Sequence, residues 1–408
     1  MSESRLSPPA GTQAAEPLPL AGVRVLEFTQ LIMGPVAGLI LADLGADVIK
    51  VEAAPDGDPT RALTGFTSGF SDFFNRNKRS ISVDLKRPEG RDVASCLCAT
   101  ADVLIENFAP GTMDRLGLGY AALGEAFPRL VYCTLKGFLP GPYEKRTALD
   151  EAVQFMGGLA YMTGPPGMPL RAGTSVVDLM GGTMAVVAIM AALADRQRTG
   201  RGRLVQAGLF ESVVFLMGQH MAAVANTGED LAPMPTRQGG WSIYQLFETS
   251  DKERVFIAVT NDSLWRRFCA AFDLAALAVD ARLHTNTERL GQREWMIPQI
   301  AARIGELSAD QVIERCDRAG VPFARVATTK SLFTDPHLLE SGALLDTLMR
   351  TGQMAGLPGL PFMLGGTRLG TRLQPPRVGE HTREILTEAG LAPSRLAALA
   401  ADGVIRCD

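Results

Sequence analysis

The chain has 408 residues, 46% hydrophobic and 21% charged, with a formal net charge of −4. That length exceeds one compact core and allows two domains. The composition is that of a globular protein, and the charge argues against the broad basic field that nucleic-acid binding needs.

Residues 1–19 carry Pro8, Pro9, Pro17 and Pro19 among Ser, Ala and Gly and read as a disordered leader without a signal-peptide pattern. Val23 to Phe28 (VRVLEF) reads as a strand, and Pro35 fits the first turn of a helix that stops at Gly45. Asp47 to Val51 completes a β-α-β unit, which is right-handed with parallel strands as a rule. Strands follow at Ser80 to Val83, Val103 to Glu106, Leu130 to Leu135 and Arg203 to Leu209. Helices fall between and around them at 88–99, 120–127, 149–161, 175–198 and 211–225, the fourth broken near Gly181-Gly182. Such alternation predicts an α/β fold with a mostly parallel sheet over 20–225.

After Asn226 the texture changes. A Gly- and Pro-rich loop leads to two antiparallel strands, Trp241 to Phe247 and Val255 to Val259, then to helices near 263–272, 294–304 and 309–319. Residues 226–328 therefore read as a smaller α+β domain. The segment 329–408 reads as an extended excursion that returns to the large domain. No apolar run reaches the ~18 residues of a membrane span. Met184 to Leu193 reads as a buried core helix.

The turn after the first strand is TQLIMGP and lacks GxGxxG, so the pyrophosphate cradle of nicotinamide enzymes is missing. The six cysteines, at 96, 98, 133, 269, 316 and 407, form no CxxC pair. They predict reduced thiols in a cytoplasmic protein rather than a zinc site or disulfides. Only His220, His284, His337 and His381 exist, and none lies in a GxSxG elbow or an HExxH pair, which disfavours hydrolase chemistry.

Arg76, Lys78, Arg79, Lys86 and Arg87 form a basic cluster. It can grip phosphates, but composition alone favours a solvated face. Asp178 lies in GTSVVDLMGG among apolar residues at a helix start. Free N–H groups there favour an anion, and Gly181 and Gly182 leave room for a ligand. Helix cap and catalyst are equally compatible with this pattern. Asp150 and Glu151 fit the first turn of a helix, or a place beside Asp178 where one of them positions a substrate.

Several separated motifs then coincide, among them LAGVRVLEFTQLIMGP, LGADVIKVE, GDPTR, FFNRNKRSISVDLKRPEGR, ADVLIENFAPGTMDRLGLGY, VVDLMGG, RTGRG, DPHL and RVGEHT. Through them the chain resembles the class III coenzyme A transferases, the formyl-CoA and carnitine-CoA transferase family that includes α-methylacyl-CoA racemases. The resemblance implies an α/β fold with a large Rossmann-like domain and a small one, two chains interlocking as a homodimer. It implies that Asp178 is the covalent nucleophile and that Asn107, Phe108, Lys86 and Arg115 line the coenzyme A site, with Asn75, Arg76 and Lys78 nearby. The basic cluster would then be a phosphate-binding surface. Coenzyme A enters as an acyl-CoA substrate, with a small organic acid as its partner. No ATP, metal or nucleotide cofactor is needed. Gly239 and Gly240 would belong to a covering loop, where formyl-CoA transferases carry a longer glycine run.

Departures narrow the activity. Racemases of the family have His-Asp where this chain has Leu149-Asp150, which weakens a racemase reading because racemisation needs a base and an acid on opposite faces. Ile32 stands where formyl-CoA transferases have a glutamine, which disfavours oxalate. Ala53 replaces an arginine near the adenine site. The segments TLKGFLPGPYEKRTALDE and MTGPPGMPLRAGTSVVD look most like members that use succinyl-CoA and a dicarboxylate such as mesaconate, itaconate, malate or citramalate. Arg146 or Arg171 would hold the second carboxylate. The rivals are an acyl-CoA racemase, a formyl-CoA:oxalate-type transferase and a non-catalytic acyl-CoA binder.

Overall fold

The computed structural model describes residues 17–236 and 240–407, so most of the expected leader, and Gly239, lie outside the described residues. The chain divides into two compact units. One is Met1–Pro235 with Ser341–Asp408, and the other is Thr236–Glu340.

The first unit opens with β1 (Arg24–Phe28), α1 (Met33–Asp43), β2 (Asp47–Ala53), α2 (Phe70–Phe74) and β3 (Lys78–Val83). It continues through α3 (Pro88–Cys98), β4 (Val103–Glu106), α4 (Thr112–Arg115), α5 (Tyr120–Ala126) and β5 (Val131–Lys136). α6 (Asp150–Met156), α7 (Leu159–Thr163), α8 (Val176–Thr199), β6 (Leu204–Gly208) and α9 (Leu209–Thr227) follow. The second unit contains β7 (Ile243–Glu248), β8 (Arg254–Val259), α10 (Asp262–Ala271), α11 (Ala275–Ala278), α12 (Asn286–Gly291), α13 (Arg293–Gly305), α14 (Ala309–Ala319), β9 (Phe323–Arg325) and α15 (Pro336–Glu340). The chain then returns to the first unit as β10 (Leu344–Leu348), β11 (Met354–Pro358), α16 (Thr382–Glu388), α17 (Pro393–Ala401) and β12 (Ile405–Arg406).

The large sheet has the order β12-β3-β2-β1-β4-β5-β6. β1 to β6 pair in parallel, and β12 closes the β3 edge antiparallel. Side chains alternate between its faces. Val25, Val103, Ile105 and Val131 pack with α1 and α8 on one side. Leu26, Phe28, Leu104 and Tyr132 pack with α3, α5, α16 and α17 on the other. Both faces are covered, so the strands read as continuous apolar runs. In the second unit β8 pairs antiparallel with β7 and β9, over a core that includes Trp265, Phe268 and Ile300.

Four local features differ from expectation. The helix expected at 149–161 is two helices, because Gly158 adopts φ +82°. The helix expected to break at Gly181-Gly182 is continuous from Val176 to Thr199. The glycines there are needed for close packing: a Cβ on Gly182 would lie 2.5 Å from the Met33 carbonyl oxygen of α1. α8 is also long and apolar enough to cross a membrane by length and composition, and a little under half of its apolar stretch is buried. Finally, residues 226–235 stay with the first unit, where Met234 N–H donates to the Met162 carbonyl at 2.9 Å.

Candidate active site

In the strand order 3-2-1-4-5-6 the chain reverses direction of travel between β1 and β4, and the crevice outside their carboxyl ends is where such sheets bind ligands. One residue bridges it here. Asn107 follows β4, its Oδ1 accepting from Gln30 N–H at 2.9 Å while its Nδ2 donates to the Gln30 carbonyl at 2.8 Å. A cavity of about 280 Å³ opens at this end of the sheet, and its lining includes Leu31, Asn107, Phe108, Lys136, Arg146, Asp150 and Asp178.

Asp178 sits in the first turn of α8. The helix N-terminus does not serve it, because Asp150 has taken the free N–H groups. Asp150 Oδ2 accepts from Val177 N–H at 2.8 Å and from Asp178 N–H at 3.0 Å. Gln154 fixes the other oxygen by donating to Asp150 Oδ1 at 2.5 Å, and its own Oε1 accepts from Ala172 N–H at 2.9 Å. Burial pushes the Asp178 carboxyl up to about 7, and the Asp150 charge adds to this. Asp178 is therefore not a cap. It is a carboxyl on a cavity wall whose anion is poorly stabilised, which favours reaction at its oxygen.

Also on the lining, Lys136 at the end of β5 donates to the Phe108 carbonyl at 2.6 Å and lies 2.7 Å from the Glu106 carboxylate. Glu106 also accepts from Phe108 N–H at 3.0 Å and from the Thr134 hydroxyl. These bonds hold the Asn107-Phe108 corner in shape. The Arg146 guanidinium stacks 4.0 Å over the Tyr143 ring at the rim. Among the described residues no cluster of three His, Cys, Asp or Glu could hold a metal ion.

The CoA-transferase family III model matches residues 20–382. Succinyl-CoA:glutarate CoA-transferase of Mus musculus is 33% identical over 376 residues, covering 91% of this chain and 86% of its own. Succinyl-CoA–D-citramalate CoA-transferase of Chloroflexus aurantiacus is 33% identical over 397 residues, covering 95% and 98%. The crystal structure of a CAIB/BAIF family protein from Brucella suis superposes with a TM-score of 0.82 at 32% identity, covering 92% of this chain and all of that one. The chain belongs to CoA-transferase family III. In this transferase Asp178, Asp150, Asn107, Phe108 and Arg146 come together, whereas other expected site residues lie elsewhere.

Within the expected basic cluster, Arg76 and Lys78 turn inward onto acidic partners. Arg76 is only 1% exposed and grips Asp43 at 2.7 Å. Lys78 is fully buried, 2.6 Å from Glu27, and burial pulls its ammonium down to about 8. Asn75 is buried and holds Lys78 through its Oδ1 at 3.3 Å. These charges neutralise internal partners. Lys86 is exposed beyond β3, three strands from β4 in this CoA-transferase. Arg115 is exposed at the end of α4, donating to Thr112 Oγ1 at 2.8 Å.

Ile32 is not among the residues that line this cavity. Its side chain is buried with Val36, Leu39 and Phe74, and Leu31 faces the cavity instead. Arg171 is paired with Glu151 at 2.6 Å and is not on the wall. Gly240 belongs to the second unit, where its carbonyl accepts from Asn286 Nδ2 at 2.8 Å. Gly181 and Gly182 admit α1 rather than a ligand. Sequence reasoning missed Lys136, Glu106 and Leu31 in the transferase. The signal for Lys136 was its place at the carboxyl end of a parallel strand, where ligands of such sheets bind.

Proposed function

We propose that this CoA-transferase moves coenzyme A from succinyl-CoA to a second small dicarboxylate, with Asp178 as the covalent nucleophile. The observation that carries this reading is the Asp178 carboxyl on the cavity wall, its backbone held by Asp150 and its anion destabilised by burial. The two relatives support the substrate class, since their names pair one donor with two different dicarboxylates.

In the first step an Asp178 carboxylate oxygen attacks the thioester carbonyl. The carbon–sulfur bond breaks, giving a mixed anhydride and the coenzyme A thiolate. The thiolate attacks the Asp178 carbonyl carbon, and the donor acid leaves as its carboxylate. An aspartyl–CoA thioester remains. The acceptor carboxylate attacks that thioester and the steps run in reverse, restoring Asp178. One thioester replaces another, so the balance needs no ATP. Water must stay out, because both intermediates hydrolyse.

Within this reading, Asn107, Phe108 and Lys136 form the coenzyme A wall, and the exposed Arg115 is the candidate partner for a phosphate farther out. Arg146 meets the distal carboxylate of the acid, its guanidinium offering a bidentate fork. Two chains interlock as a cytoplasmic homodimer, supported by the exposed apolar side chains Met184, Val187 and Met190 of α8 and Phe215 of α9.

The test is incubation with succinyl-CoA and a panel of carboxylic acids, with mass-spectrometric identification of new thioesters. A dicarboxyl-CoA product that Asp178→Ala fails to make supports the proposal. Hydrolysis alone, or exchange that survives Asp178→Ala, overturns it.

A further inference from the structure

The GDPTR motif, Gly57 to Arg61, has no part in the chemistry described so far, yet every polar group in it is engaged. Arg61 grips Glu52 through two nitrogens, each at 2.7 Å. Asp58 Oδ2 lies 2.9 Å from the buried Lys50 ammonium, and its Oδ1 accepts from Thr60 N–H at 2.8 Å. The Thr60 side chain, itself buried, accepts from Leu31 N–H at 3.0 Å. Lys50 also donates to the Thr29 carbonyl at 2.9 Å, and Glu27 accepts from the Thr29 hydroxyl at 2.7 Å.

The turn between β1 and α1 is thus clamped from two sides. Asn107 holds Gln30 from β4, while Lys50 and Thr60 hold Thr29 and Leu31 from the β2 side. The clamp maintains a conformation that the turn would not choose. Leu31 has φ +63°, which disfavours a branched side chain about 5- to 30-fold relative to a right-handed backbone. Its side chain is 46% exposed and forms part of the cavity wall that Asp178 also lines. With the side chain half-exposed, the Thr60 bond to its N–H is a main restraint on that backbone conformation.

We infer that Thr60 is a positioning residue, which keeps Leu31 as a water-excluding wall over the acylated Asp178. The inference rests on the nucleophile reading above. Without the Thr60 bond, Leu31 relaxes out of the left-handed region and its side chain leaves the wall. Water then competes with the acceptor acid for the anhydride and the aspartyl thioester.

The experiment measures the partition between free acid plus coenzyme A and transferred thioester, using succinyl-CoA and an acceptor accepted by the wild-type chain. Thr60→Val keeps the shape and removes the acceptor oxygen, whereas Thr60→Ser keeps the oxygen. The expected result is a share of hydrolysis raised about fivefold or more in Thr60→Val and near wild type in Thr60→Ser. Leu31→Ala, a change at a half-exposed side chain, should raise it too, and it decides the matter if Thr60→Val fails to fold. A wild-type partition in Thr60→Val, or in Leu31→Ala, overturns the inference. Exchange that survives in an Asp178→Ala control instead overturns the nucleophile reading, so the two failures are distinguishable.

Discussion

Asp150 Oδ2 accepts the backbone N–H of Asp178 at 3.0 Å, so one carboxylate caps the helix that carries the other. The arrangement has two effects on Asp178. It fixes the first turn of α8 against α6, and it denies the Asp178 side chain the N–H groups that would stabilise its charge. A negative charge nearby and burial then disfavour the anion together.

Attack requires the Asp178 carboxylate, so kcat/KM should rise with pH through a single ionisation near 7. Asp150→Asn removes the neighbouring charge and should move that midpoint down. It should stay above the ordinary carboxylate value, because burial is the larger cause. The new amide meets the Gln154 Nε2 donor, at a stability cost of about 1 kcal/mol. A pH–rate profile with the same midpoint in both proteins would contradict this coupling.

The same raised value affects stability. Between 3.8 and about 7 the folded chain keeps a proton that the unfolded chain has lost, so stability falls as pH rises through that window. Asp178→Asn abolishes the loss. At pH 8 it should stabilise the fold by roughly 2–3 kcal/mol, after discounting the part of the carboxyl that faces the cavity. Urea unfolding of both proteins at pH 5 and pH 8 measures the difference, which should appear mainly at pH 8.

Gly182→Ala should push α8 from α1, because the new Cβ would lie 2.5 Å from the Met33 carbonyl oxygen and 3.0 Å from Val36 Cβ. Overpacking of this kind costs about 1–3 kcal/mol. It should also lower kcat, since Asp178 rides on the same helix one turn earlier. Thermal denaturation and steady-state kinetics on one preparation test both effects.

Arg146 and Arg171 should behave differently. Arg146→Ala should raise the acceptor KM about tenfold or more by removing a charged hydrogen-bond partner, worth about 1.5–3 kcal/mol. Arg171→Ala breaks a partly exposed pair with Glu151 and should leave the acceptor KM within about twofold. Equal effects would remove the assignment of Arg146.

Much of the fold was legible because parallel strands buried on both faces give apolar runs with helical stretches between them, as at Val103–Glu106 and Pro88–Cys98. The hairpin β10-β11 and the elements α16, α17 and β12 were not. Their segment is rich in Gly and Pro, and much of its order comes from packing on residues roughly 300 positions earlier, such as Ser82 with Thr382. Asp178 was visible as an acid among apolar residues, but its partner was undecided. That choice depends on α6 meeting α8, a contact no local pattern encodes. For Arg76, just before β3, and Lys78, its first residue, charge density does not say which way a side chain turns. Both turn inward onto Asp43 and Glu27.

The most direct measurement adds hydroxylamine to the protein turning over succinyl-CoA, then maps the modified residue by peptide mass spectrometry. A covalent role for Asp178 requires a hydroxamate at that residue, formed only when acyl-CoA is present. Turnover that leaves residue 178 unmodified, or that labels another side chain in its place, would contradict it.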